Sequence, residues 1–202
     1  MNKPVDPSIE EMKARMEEVL SLQKRANLSK GPPDARLRKD RLTRCITLLL
    51  THKDDFVEAM NADFGVRSKD MTTLTDIAGA INPLKSARAS LETWMKPQKR
   101  HVDMMTYPLA RNRLIPQPLG VVGVIVPWNF PVNLSFAPLT AIFAAGNRAM
   151  VKMSENSQHL ARLLMEISPK YFPENKLKFF DDGGGRGPAF SSLPFDHLLF
   201  TG

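Results

Sequence analysis

The stretch Leu119-Gly-Val-Val-Gly-Val-Ile-Val-Pro127 decides the fold. A near-continuous β-branched run of this kind forms a strand covered on both faces, which is the central position of a parallel sheet. Downstream the pattern alternates: a helix over 134–145 stopped by Gly146, a strand over 148–152, a helix over 158–167, and a strand over 177–180. A Gly-rich turn then leads into a short helix over 188–193 and a last strand over 197–200. The order β-α-β-α-β-α-β specifies an α/β fold, an open parallel Rossmann-like sheet with right-handed crossovers.

Upstream of this run the chain reads as helical. Ser8 and Glu11 form an S-x-x-E capping box ahead of Ile9, Met12, Met16, Val19 and Leu20 at helical spacing. The loop 29–33 ends that helix, and Asp34 caps a second that buries Leu37, Leu42, Cys45, Ile46 and Leu49. A third runs from Asp54 or Asp55 through Met60 to a stop near Gly65. A longer one over 72–95 turns Leu74, Ile77, Ile81, Leu84, Leu91 and Met95 inward, with a kink at Pro83. Between Pro97 and Pro118 two extended stretches, 102–107 and 111–115, fit a hairpin or an extended arm. Three segments result: 1–98 helical, 99–118 an arm, and 119–202 the sheet.

Composition narrows the function classes. The 202 residues carry 28 Lys and Arg against 21 Asp and Glu, with 43% hydrophobic residues and one cysteine. A disulfide scaffold and a Cys-rich metal site are excluded, a cytoplasmic setting is the expectation, and Cys45 reads as a small core hydrophobe. The longest apolar run is far shorter than the ~20 residues that span a bilayer, so no membrane insertion is expected. Positive charge concentrates in 85–113 with only Trp94 and Tyr107 among it, which reads as a solvated face or a hairpin edge protected by Lys and Arg rather than a nucleic-acid surface. The histidines His52, His101, His159 and His197 lack metal-ligand spacing, and no metal is expected.

In open α/β sheets ligands gather beyond the carboxyl ends of the strands. Lys152 and Glu155 bring a cation and a carboxylate to one such end, either as a surface pair or as donor and acceptor for vicinal sugar hydroxyls. Gly183-Gly-Gly-Arg-Gly187 fails both the G-x-G-x-x-G and the P-loop register and reads as a flexible turn. Asn129, between Trp128 and Phe130 in a Pro-bracketed turn, either stabilises that turn or presents its amide to a developing oxyanion.

Taken together, Pro118-Leu-Gly-Val-Val-Gly-Val-Ile-Val-Pro-Trp-Asn-Phe-Pro131, Ala145-Gly-Asn147, Met150-Val-Lys152 with Glu155, and Phe195-Asp-His-Leu-Leu-Phe-Thr-Gly202 resemble the cofactor-binding half of the NAD(P)-dependent aldehyde dehydrogenase superfamily. Asn61-Ala-Asp-Phe-Gly65 and Trp94-Met-Lys-Pro97 extend the likeness back to about residue 30, and the class 3-type and coniferyl aldehyde dehydrogenases are the subgroup resembled. The resemblance implies oxidation of an aromatic or hydrophobic aldehyde through a cysteine thiohemiacetal. It gives Asn129 the thiohemiacetal oxygen, Lys152 and Glu155 the adenosine ribose, and Val126, Pro127 and Trp128 the wall beside the cofactor. Gly187 falls next to the adenine pocket, while Phe200, Thr201 and Gly202 fall at the strand end facing the pyrophosphate.

Glu155 repels a ribose 2′-phosphate, so NAD is favoured, with NADP possible as in relatives bearing such a Glu. By the same resemblance the arm serves a homo-dimer or tetramer. The family's Cys nucleophile and Glu base follow the position of Gly202, and Cys45 matches neither. Residues 1–202 alone are therefore expected to be inactive, and to aggregate through the edge strand 197–200. The competing expectation is a noncatalytic nucleotide-binding or oligomerisation module.

Overall fold

The structure, a computed structural model, describes residues 7–184 and 186–201. Its centre is a parallel sheet of β3 (Val121–Ile125), β4 (Arg148–Lys152), β5 (Leu177–Phe180) and β6 (His197–Phe200), in the order β5-β4-β3-β6. Gly123 stands opposite Met150 on one side and Leu198 on the other. The α/β reading and the central place of 121–125 are thus as the β-branched run implied. Alternation along β3 splits the core between two faces, as a period of two requires. Val122 and Val124 face a large cluster with Ala149, Val151 and Phe179, whereas Val121 joins Met150, Phe180 and Phe190 on the other side. A Cβ on Gly123 would lie 2.6 Å from the Phe195 ring, so only glycine lets that ring pack against the strand.

Six elements cover the sheet. On the second face lie α1 (Pro7–Lys30) and α8 (Gly187–Ser191), with Met16, Val19 and Leu20 buried against the strands. The helix α1 already contains Ser8, so the cap expected there lies inside the helix, and the residues before Pro7 fall outside the described ones. On the first face α2 (Ala35–Thr51), α5 (Gly79–Trp94), α6 (Asn133–Ala145) and α7 (Gln158–Ile167) share one core with the strands. Asp34 caps α2 by accepting the Leu37 N–H at 2.7 Å. Cys45 is fully buried in this core, and burial pushes its thiol up. None of the helices is long and apolar enough to cross a membrane among the described residues.

Three expectations are corrected. Leu37 is 41% exposed, because Arg38 and Arg41 take the inward positions and donate to the carbonyls of Ala144, Gly146 and Asn147 at the end of α6. The helix over 72–95 is also not one regular helix. After α3 (Lys53–Phe64) and a single turn α4 (Lys69–Met71), residues Thr72–Ala78 form a π-helix, and Pro83 lies inside α5 without ending it. The π-turn, with its longer i→i+5 closure, shifts the phase of the buried face, so Thr72 and Asp76 turn inward while Leu74 is 72% exposed. Finally, the hairpin strands are β1 (Gln98–Arg100) and β2 (Asn112–Leu114). Residues 102–107 are no strand, because the Asp103 carboxylate accepts from the Met105 and Thr106 N–H groups and the Thr106 hydroxyl, closing a turn.

At the amino end of the sheet Arg41 and Arg148 are buried on backbone carbonyls, with Lys176 beside them. Burial, then Arg148, Arg41 and Lys30, push the Lys176 ammonium down to about 8. The unfolded value is about 10.4, so between these values the unfolded chain binds more protons and stability rises with pH. The Lys176→Met variant is expected to be more stable than the parent at pH 7 in urea denaturation, with the difference shrinking as pH passes from 8 to 10.5. A difference independent of pH across that window would contradict the assignment.

Candidate functional site at the strand tips

The carboxyl ends of the four strands are tied side by side. The Val126 N–H donates to the Lys152 carbonyl at 3.0 Å, Met153 to Phe180 at 2.8 Å, and Thr201 to Ile125 at 3.2 Å. Beyond them opens a cleft of about 890 Å³. It brings together Val126, Pro127, Trp128, Asn129, Lys152, Glu155, Gly187, Phe200 and Thr201, although these are spread over 76 positions of sequence from 126 to 201. Gly202 lies outside the described residues. Ser154, Pro188, Ser191 and Leu198 also line the cleft and were not singled out from sequence. Ser154 and Leu198 adjoin strand-end residues that were, whereas Ser191 carries no local signal of its own.

Lys152 differs from the sequence reading. Its ammonium is buried and donates to Asp182 Oδ2 at 2.5 Å, not to Glu155. Lys152 pairs in register with Phe180, so Asp182, two residues past that partner, arrives beside the side chain. The other Asp182 oxygen accepts the Arg186 N–H at 2.6 Å, and the Arg186 guanidinium pairs with Asp181. Glu155 is exposed at the rim, its carboxylate 3.3 Å from the Ser154 hydroxyl. An ammonium paired with Asp182 and an exposed carboxylate that accepts from the Ser154 hydroxyl therefore both border the cleft, not paired with each other. A Cβ placed on Gly187 would sit 3.7 Å from Asp182 Oδ2 and 4.0 Å from Lys152 Nζ, so the Gly187 backbone, which also lines the cleft, packs directly beside that ion pair.

The turn bearing Asn129 is held from outside the sheet. Asn129 Oδ1 accepts the Phe130 N–H at 3.1 Å, and the Asn129 carbonyl accepts from the Arg67 guanidinium at 3.0 Å. The side-chain amide nitrogen of Asn129 makes no hydrogen bond among the described residues, and it belongs to a side chain lining the cleft. Arg67 also donates to the fully buried Asp76 at 2.7 Å and lies over the rings of Phe64 and Phe130. Burial pushes the Asp76 carboxyl up, opposed by the Asn133 N–H and by Arg67. Trp128 leans on Phe64 with ring centroids 6.2 Å apart.

Residues 12–202 match the model of the aldehyde dehydrogenase family. The chain belongs to that family. It is 50% identical to the probable coniferyl aldehyde dehydrogenase of Caulobacter vibrioides over 100% of this chain and 42% of that protein. It is 47% identical to the coniferyl aldehyde dehydrogenase of a Pseudomonas species over 91% of this chain and 37% of the relative. The substrate-bound AldH of Staphylococcus aureus superposes with a TM-score of 0.84 at 26% identity, covering 91% of this chain and 40% of the other. This aldehyde dehydrogenase chain thus spans about two fifths of the length of the relatives it matches.

The Lys152–Asp182 pair sets a stability test. Removing Asp182 leaves a buried unpaired ammonium, a loss of about 3–5 kcal/mol. Asp182→Ala is expected to fall by that order in urea denaturation, and Lys152→Met in the same background to recover most of it. Equal stability of Asp182→Ala and the parent would contradict the pairing.

Proposed function

We propose that this chain forms the cofactor-binding region of an enzyme that oxidises an aromatic or hydrophobic aldehyde, such as coniferyl aldehyde, to its carboxylic acid with a pyridine nucleotide, NAD in preference to NADP. Support comes from family membership, from the names of the two relatives, and from the donor and acceptor chemistry of the cleft. When bound, the nucleotide supplies a hydride acceptor. Lys152 donates to the adenosine ribose and Glu155 accepts from it, while the Glu155 charge disfavours a 2′-phosphate. Val126, Pro127 and Trp128 wall the cleft, Gly187 lies beside the Lys152–Asp182 pair, and Phe200 and Thr201 face the pyrophosphate. Asn129 donates its free side-chain N–H to the oxygen that gains charge when a nucleophile adds to the aldehyde carbonyl.

On this reading residues 1–98 form the helical segment of the cofactor domain, residues 99–118 an arm for homo-oligomer formation, and residues from 119 onward the cofactor-binding sheet. The cytoplasm is its proposed location. The observation that carries the reading is the meeting in one cleft of the Asn129 amide nitrogen, without a hydrogen-bond partner among the described residues, with a buried cation and an exposed carboxylate.

The test grafts residues 12–201 into the Caulobacter relative in place of its matching segment and follows aldehyde-dependent NADH formation. Asn129→Ala is expected to lower kcat by ~10²-fold or more with the Kd for NAD unchanged. Unaltered turnover would overturn the assignment to Asn129. In the same graft Glu155→Gln is expected to narrow the gap between the Kd values for NAD and NADP, and an unchanged ratio would remove Glu155 from cofactor choice.

A further inference from the structure

We infer that Arg67 and Asp76 are positioning residues which hold Asn129 in its donating orientation through contacts on the side of the turn away from the cleft. The inference rests on the oxyanion reading of Asn129 given above. Three hydrogen bonds define the device. Arg67 donates one N–H to the Asn129 carbonyl at 3.0 Å and another to Asp76 Oδ2 at 2.7 Å. Asp76 Oδ1 accepts the Asn133 N–H at 3.2 Å, at the first residue of α6. One buried carboxylate therefore fixes both the arginine that grips the turn and the helix that begins just after it. The Asn129 side chain completes the arrangement, since its own oxygen is occupied by the Phe130 N–H and the amide nitrogen alone is left to donate.

The residue types suit the task. A guanidinium is planar and offers separate N–H groups in fixed directions, so it reaches a carboxylate and a carbonyl at once and still stacks on rings. Its carbon centre lies 4.5 Å from the Phe64 ring centroid and 5.3 Å from that of Phe130, the neighbour of Asn129. Asp76 reaches this point because residues Thr72–Ala78 are wound as a π-helix, an irregularity that re-aims a side chain. Asn133 braces the same place, its side-chain amide donating to the Thr75 carbonyl at 3.2 Å. A buried ion pair needed only for stability would not require the third contact to the Asn129 carbonyl.

Arg67→Lys keeps a positive charge beside Asp76 but cannot span both acceptors. In the grafted enzyme it is expected to lower kcat about tenfold, the size of effect a small misplacement of a reacting group produces, with the Kd for NAD unchanged. In the Asn129→Ala background the same change is expected to lower kcat no further, because the group it positions is gone. Parent-like kcat in Arg67→Lys while Asn129→Ala is impaired would overturn the clamp and leave the oxyanion reading standing. An equal loss in both backgrounds would also overturn it, showing an effect through the fold. Parent-like kcat in Asn129→Ala would remove the oxyanion reading and the clamp with it. Should Arg67→Lys not fold, Asp76→Asn retains the acceptor for Asn133 and is judged by the same two-background comparison.

Discussion

The parallel ladder through β3 is the constraint on which the other features depend. Its residues pair with β4 on one side and β6 on the other, and the bonds continue past the strand ends to Val126, Met153 and Thr201. Because the register brings four tips to one level, side chains far apart in sequence converge without any loop having to carry them there. The packing that maintains this register is apolar and two-sided, with Val122 and Val124 on one face and Val121 on the other. The absence of a side chain at Gly123 lets Phe195 approach closely enough to seat β6 beside β3.

Superimposed on this apolar frame are two buried ion pairs, Lys152 with Asp182 and Arg67 with Asp76. Pairs of this sort add little net stability relative to apolar replacements, since both ions must leave water, but removing one partner strands the other charge and is strongly destabilising. Each sits directly behind a portion of the cleft. The first lies under Gly187 on the side assigned to the adenosine, and the second behind Asn129 on the side assigned to the reacting carbonyl.

Much of the fold was legible because it depends on local pattern. The strands 148–152, 177–180 and 197–200, the helix 158–167 and the stop at Gly146 follow from periodicity and turn chemistry alone. What was not legible depends on distance. Asp182 lies 30 positions from Lys152, and Arg67 lies 62 from Asn129, so neither partnership leaves a mark in a short window. The exposed Leu74 and the inward Asp76 have a local cue in hindsight: an acidic residue beside Ile77 interrupts an apolar register, and the π-turn accommodates it. Leu37 failed for a related reason, because two arginines with long stems found helix-end carbonyls to bond and displaced the leucine outward. In the hairpin, Asp103 formed its own turn where extended residues were expected, a competition between side chain and ladder for backbone N–H groups.

The central claim, that the aligned strand tips hold an adenine dinucleotide, is tested most directly by a crystal structure, with NAD, of the Caulobacter relative carrying residues 12–201 of this chain. The expected result is density along the tips of β3 and β4, with the ribose hydroxyls of the adenosine within hydrogen-bond distance of Lys152 and Glu155 and the sugar lying beside Gly187. Density for NAD at another surface, or an empty cleft at a concentration that saturates binding in solution, would contradict it.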